Sequence, residues 1–96
     1  MVTFSFREFG ENLGTRQLGQ QVRERLMPIL EGNERVVLDF TGVNVVSNSF
    51  ADECIAKLLL VMPLDKLKAH TTFRGLNPLA SESVLTALRR RHLTMA

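Results

Sequence analysis

Ninety-six residues, 45% hydrophobic and 23% charged, give one domain spanning 1–96, with the composition of a folded chain rather than a disordered one. A formal net charge of +2 does not by itself make a nucleic-acid binder, and a single cysteine, Cys54, excludes an internal disulfide. No apolar run approaches the ~18 residues needed to span a bilayer, and the opening MVTFSFREFG lacks the basic and apolar regions of a signal peptide, so a cytoplasmic location off the membrane is expected.

In chain order, Val2, Phe4 and Phe6 alternate with Thr3, Ser5 and Arg7, the period of a strand with one buried face. Gly10 and Gly14 bracket a loop. From Thr15 the stripe Leu18, Val22, Leu26, Ile29 and Leu30 recurs at helical spacing, with Thr15 as the cap and Gly19 a weak point. Pro28 predicts a kink or early end, because proline removes a helical hydrogen bond and disfavours helical geometry at Met27.

The stretch Val36 to Leu60, VVLDFTGVNVVSNSFADECIAKLLL, is the centre of the pattern. Val36, Val37, Leu38 and Phe40 read as a strand buried on both faces. Asp39 is placed to bond the turn at Thr41 to Val43, where Gly42 lets the chain reverse, and Val45-Val46 allows a further short strand. Ser47, Asn48 and Ser49 are helix-capping residues, and Ala51, Cys54, Ile55, Leu58 and Met62 form an inward stripe opposite Asp52, Glu53 and Lys57. Glu53 is spaced to pair with Lys57, and Pro63 ends the helix.

A short helical turn is expected at Leu64 to Lys68, and a strand at Ala69 to Arg74. Pro78 suits a first helical position, Val84, Leu85 and Leu88 give the last helix its inward face, and Arg89 to Ala96 form its exposed end and a frayed tail. Alternating strands and helices predict an α/β fold, a small mostly parallel or mixed sheet with helices packed against it.

Chemistry is sparse in this pattern. GENLGTR at Gly10 to Arg16 has three residues between its glycines and Thr-Arg after them, so it is not a phosphate loop. Asp39, Asp52 and Glu53 are the only carboxylates near the central element, and an enzyme using Asp39 with the Ser47 to Ser49 loop would need them to converge. His70 and His92 lack metal-site spacing, so no catalytic residue, metal or cofactor is assigned. Arg89, Arg90 and Arg91 are a basic patch whose ordinary role is to face the negative end of a helix dipole; binding nucleic acid there is the alternative. A phosphate on Ser47 or Ser49 would be favoured by the helix start, which makes these two serines candidates for a phosphorylation switch.

VVLDFTGVNVVSNSF followed by an amphipathic helix resembles the central motif of STAS domains, the fold of anti-sigma-factor antagonists, in which an Asp-Ser-Ser-Gly loop leads into a helix. It is closer to STAS-like proteins of uncharacterised function, whose loop reads Ser-x-Ser-Phe-Ala-Asp and which carry Thr-Arg at the first helix, here Thr15-Arg16. In the antagonists the first loop serine is phosphorylated by a partner kinase of the GHKL ATPase type. That position is Asn48 here, which accepts no phosphate, so the switch is absent or moved to Ser47 or Ser49. The resemblance implies a bacterial-type, non-enzymatic regulatory domain that docks a protein partner, such as a GHKL-type ATPase, through Asn48, Ser49, Phe50, Asp52 and Glu53. Phe50, where the antagonists have glycine, is either an exposed anchor or core packing. Homodimerisation through a sheet edge or helix face stays open.

Overall fold

A computed structural model describes the backbone of residues 1–95 and the side chains of 1–93. The chain forms β1 (Val2–Ser5), a 3-10 turn (Phe6–Phe9), β2 (Asn12–Leu13), α1 (Arg16–Gly32), β3 (Val36–Asp39) and β4 (Val45–Val46). An irregular helix over 48–60, here α2, follows, then α3 (Leu64–His70), β5 (Thr71–Arg74) and α4 (Pro78–Met95). The expected α/β architecture is present, and every strand pair is parallel.

β3 is the centre of a three-stranded sheet in the order β1-β3-β5, with Val2 opposite Val36 and Val36 opposite Thr71. One face is apolar: Phe4, Val36 and Leu38 are buried and Phe73 packs against them. On the other, Val37 is covered, but its cross-strand neighbours Thr3 and Thr72 are exposed. The same two chain segments pair a second time as β2 and β4, after the 3-10 turn on one and the Thr41-Gly42 turn on the other. The Gly10 to Gly14 loop therefore contains a strand that its polar residues concealed.

All six phenylalanines join one network. Phe6 stacks on Phe40 at 4.0 Å between ring centroids and meets Phe4 edge-on at 5.0 Å and Phe50 at 6.5 Å.

α1 is capped as expected, the Thr15 hydroxyl accepting from the Leu18 amide at 3.0 Å. It does not break at Pro28, which falls on the exposed side and so loses a hydrogen bond where water can replace it. Its buried line is Gly19, Val22, Leu26 and Leu30. Gly19 is no weak point but a close approach: a Cβ there would lie 2.9 Å from the Glu53 Cβ and 3.3 Å from the Phe50 carbonyl oxygen.

α2 lies between α1 and α4 and touches both. It is α-helical over Asn48–Phe50, widens to a π turn over Ala51–Ile55 and tightens to 3-10 over Ala56–Leu60. Arg23 of α1 donates to the Glu53 carbonyl within the widened turn. Ala51, Cys54, Ile55 and Leu58 point inward as predicted, with Met62 half-buried.

α3 runs two residues beyond its expected end, so β5 begins at Thr71 rather than Ala69. α4 starts at Pro78, with the Asn77 side chain accepting from the Ala80 amide at 2.8 Å. Its inward residues are Ala80, Val84 and Ala87, with Leu88 packed beside them; Leu85 is 54% exposed and was wrongly expected inside. Arg89 to Arg91 are not its end, because the helix continues to Met95; the tail expected at Ala96 lies outside the described residues.

Candidate functional site

The β2-β4 pair sets the site. The Ser47 amide donates to the Leu13 carbonyl at 3.0 Å, which holds the start of α2 beside the start of α1. The Ser47 hydroxyl accepts from the Phe50 amide at 3.0 Å and donates to the Gly14 carbonyl at 2.9 Å, so it is both the helix cap and a tie to the neighbouring chain. Asn48 is exposed and Ser49 half-buried at the surface next to it.

Phe50 follows the second of its two readings, core packing, and Glu53 corrects an expectation. The Phe50 ring is 0% exposed, packed in the aromatic core, and so is not a surface anchor. Glu53 is 6% exposed rather than opposite the core stripe on a solvated face. Its Oε2 accepts from Arg23 Nη1 at 2.7 Å and from Lys57 Nζ at 2.9 Å, and its Oε1 from Arg16 Nη1 at 3.4 Å. The expected Glu53–Lys57 pair is thus real, within a larger cluster. The Arg23 hydrogen bond pulls the Glu53 carboxyl down to about 2, against the opposing effect of burial and with help from Lys57.

Asp52 faces the other way and joins three helices. Its Oδ1 accepts from Arg91 Nε at 2.7 Å, and its Oδ2 accepts from Arg91 Nη2 and from Arg16 Nη1, each at 2.8 Å. The two-pronged Arg91 contact holds the Asp52 carboxyl well below the usual range, and Arg16 adds to it. Arg91 therefore serves Asp52 rather than a helix dipole; Arg89 and Arg90 are exposed beside it.

Asp39 stands apart, at the end of β3. It accepts from the Thr41 amide at 2.9 Å, from the Thr41 hydroxyl at 2.6 Å and from Arg74 at 2.9 Å. Its carboxyl is driven strongly downward by Arg74 first and Thr41 next. The turn it fixes contains Gly42 at φ 85° and is covered by Gly75, whose added Cβ would fall 2.4 Å from the Thr41 hydroxyl oxygen. Asp39 thus bonds the turn that Gly42 reverses.

All three carboxylates are thus held ionised by cations, the opposite of groups poised to exchange protons near neutrality. The Cys54 thiol is pushed up to about 12 by burial, which removes its nucleophilic form. Among the described residues no three His, Cys, Asp or Glu side chains gather as metal ligands.

Between the start of α2 and the middle of α4 runs a groove of about 420 Å³, whose walls include Arg16, Asn48, Ser49, Asp52, Arg90 and Arg91. Sequence reading named the α2 residues but not Arg16 as a partner of Asp52, 36 residues away. The Thr15-Arg16 pair was its only signal.

Residues 19–79 match the family model of the STAS-like domain of unknown function (DUF4325). The match runs from within α1 through β3, β4, α2, α3 and β5 to the first turn of α4, with β1 and β2 before it, and the chain belongs to this family. No curated protein and no solved structure matches the chain. No helix among the described residues is long and apolar enough to cross a membrane.

Proposed function

We propose that this chain is a non-enzymatic regulatory domain that presents the start of α2 to a protein partner, as anti-sigma-factor antagonists do, with an ATPase of the GHKL type as the partner class. The observation that carries this reading is the way Asn48 and Ser49 are offered: side by side at the surface, on a helix start tied to β2 by Ser47 and to α1 and α4 by Asp52. Such a platform is fixed before binding, which limits the ordering cost of docking. The partner surface is Asn48, Ser49 and the exposed edge of Asp52, with Phe50 and Glu53 behind it as support. Of the two serines, Ser49 is the phosphoacceptor, since the Ser47 hydroxyl is engaged both as donor and as acceptor.

The test is co-purification with partners identified by mass spectrometry, then binding between purified components. An Asn48→Arg, Ser49→Arg double variant is expected to lose about tenfold or more in affinity while keeping its thermal midpoint. Incubation of the purified partner with ATP should place phosphate on Ser49 and not on Ser47. Equal binding by the wild type and the folded double variant would remove the docking assignment.

A further inference from the structure

We infer that the outward face of α4 pairs with the same face of a second copy of this chain, the two helices running antiparallel about a two-fold axis. α4 is apolar on both sides. Its inner side is built from the small residues Ala80, Val84 and Ala87, whereas three of its leucines point outward: Leu79 is 76% exposed, Leu85 54% and Leu93 68%. A helix that covers a core on one side needs one apolar stripe, and a second stripe calls for a second partner.

The order of residues on that face selects the partner. Leu79, Glu82, Leu85, Arg89 and Leu93 follow one another every three or four positions, so they share one side of the helix, and all five are exposed. Read backwards, the row is leucine, arginine, leucine, glutamate, leucine, the charge complement of itself. In an antiparallel pair centred beside Leu85, Glu82 meets the partner's Arg89 and Arg89 meets the partner's Glu82. Leu85 meets the partner's Leu85, and Leu79 meets the partner's Leu93. Each match holds within one residue of register, about 1.5 Å along the helix axis. The two-fold axis makes every off-axis contact twice, as an isologous interface requires. Parallel copies would set Glu82 against Glu82 and Arg89 against Arg89, and a uniformly acidic or basic surface would be repelled by one of the two charges. Both charges are available, since Glu82 and Arg89 enter none of the ion pairs among the described residues. The leucine row spans about 21 Å, so the interface is small and the dimer dissociates on dilution.

The experiment is sedimentation velocity of the protein alone, from about 10 μM to about 1 mM. The wild type should pass from monomer to dimer across this range. Arg89→Glu reverses both ion pairs of the dimer at once and should weaken it by about tenfold or more. Adding Glu82→Arg to it exchanges the two charges and should restore association close to that of the wild type. An equimolar mixture of the two single variants, Glu82→Arg and Arg89→Glu, should associate although neither does so alone. Circular dichroism and the thermal midpoint report the fold of each variant, and Glu82→Arg, which reverses the same two pairs, takes the place of Arg89→Glu if the latter folds poorly. A monomer at every concentration, a dimer undiminished by the folded single reversal, or a reversal that the exchange does not rescue overturns the pairing. No other protein enters the measurement, so its failure leaves the docking assignment untouched.

Discussion

Asp52 and Glu53 are adjacent acids with different surroundings, because successive residues of a helix point in different directions. Asp52 reaches α4, and Glu53 turns beneath α1 into a cluster of three cations. The folded state holds Glu53 ionised down to about 2, whereas an unfolded chain takes up the proton near 4.5. Between those values the unfolded state binds more protons, so stability rises with pH and is lost as pH falls from about 4.5 toward 2. Asp39 and Asp52, also lowered, act in the same direction. Urea midpoints measured across this range should fall less steeply for Glu53→Gln than for the wild type. Gly19→Ala tests the same contact from the other side. Alanine favours helix by ~1 kcal/mol, but the methyl overlaps the Glu53 Cβ, and overpacking costs about 1–3 kcal/mol, so a net loss of stability is expected by chemical denaturation.

At the scale of elements, capping residues and short apolar runs were legible and tertiary partners were not. Thr15 and Ser47 cap the helices their side chains announce, and the β3 core and the Val45-Val46 strand stand where the pattern put them. These signals are local: a hydroxyl or amide needs only the next turn of backbone. The burial of Glu53 depends on Arg23, thirty residues earlier, and that of Phe50 on a ring cluster that begins with Phe6, far from it in sequence. The exposure of Leu85 depends on where α4 rests, not on its own periodicity. The widened turn of α2 has no local signature either, since its Glu53 carbonyl is satisfied from α1. Pro28 shows the limit of a strong local rule, its missing N–H facing water in an unbroken helix. Pro28→Ala restores that hydrogen bond and should raise unfolding stability by about 1–3 kcal/mol, somewhat reduced by the freer unfolded chain. Thermal and urea unfolding both read this directly.

At the scale of the whole molecule, the ion pairs are the joints between helices, and Asp52 with Arg91 is the joint to α4. Both side chains are partly buried and meet two-pronged, so a double-mutant cycle of Asp52→Ala and Arg91→Ala should give a coupling of about 1–2 kcal/mol, above the usual value for exposed pairs. Single and double variants measured in urea complete the cycle. The all-parallel sheet has a consequence of a different kind, in time rather than in energy. No two paired strands are neighbours along the chain: Val2 waits for Val36, and Val36 for Thr71. On a ribosome β1 emerges before its partner β3, and the sheet is not complete until β5 has followed. Parallel pairing across such spans makes assembly slow relative to a helical bundle of the same size.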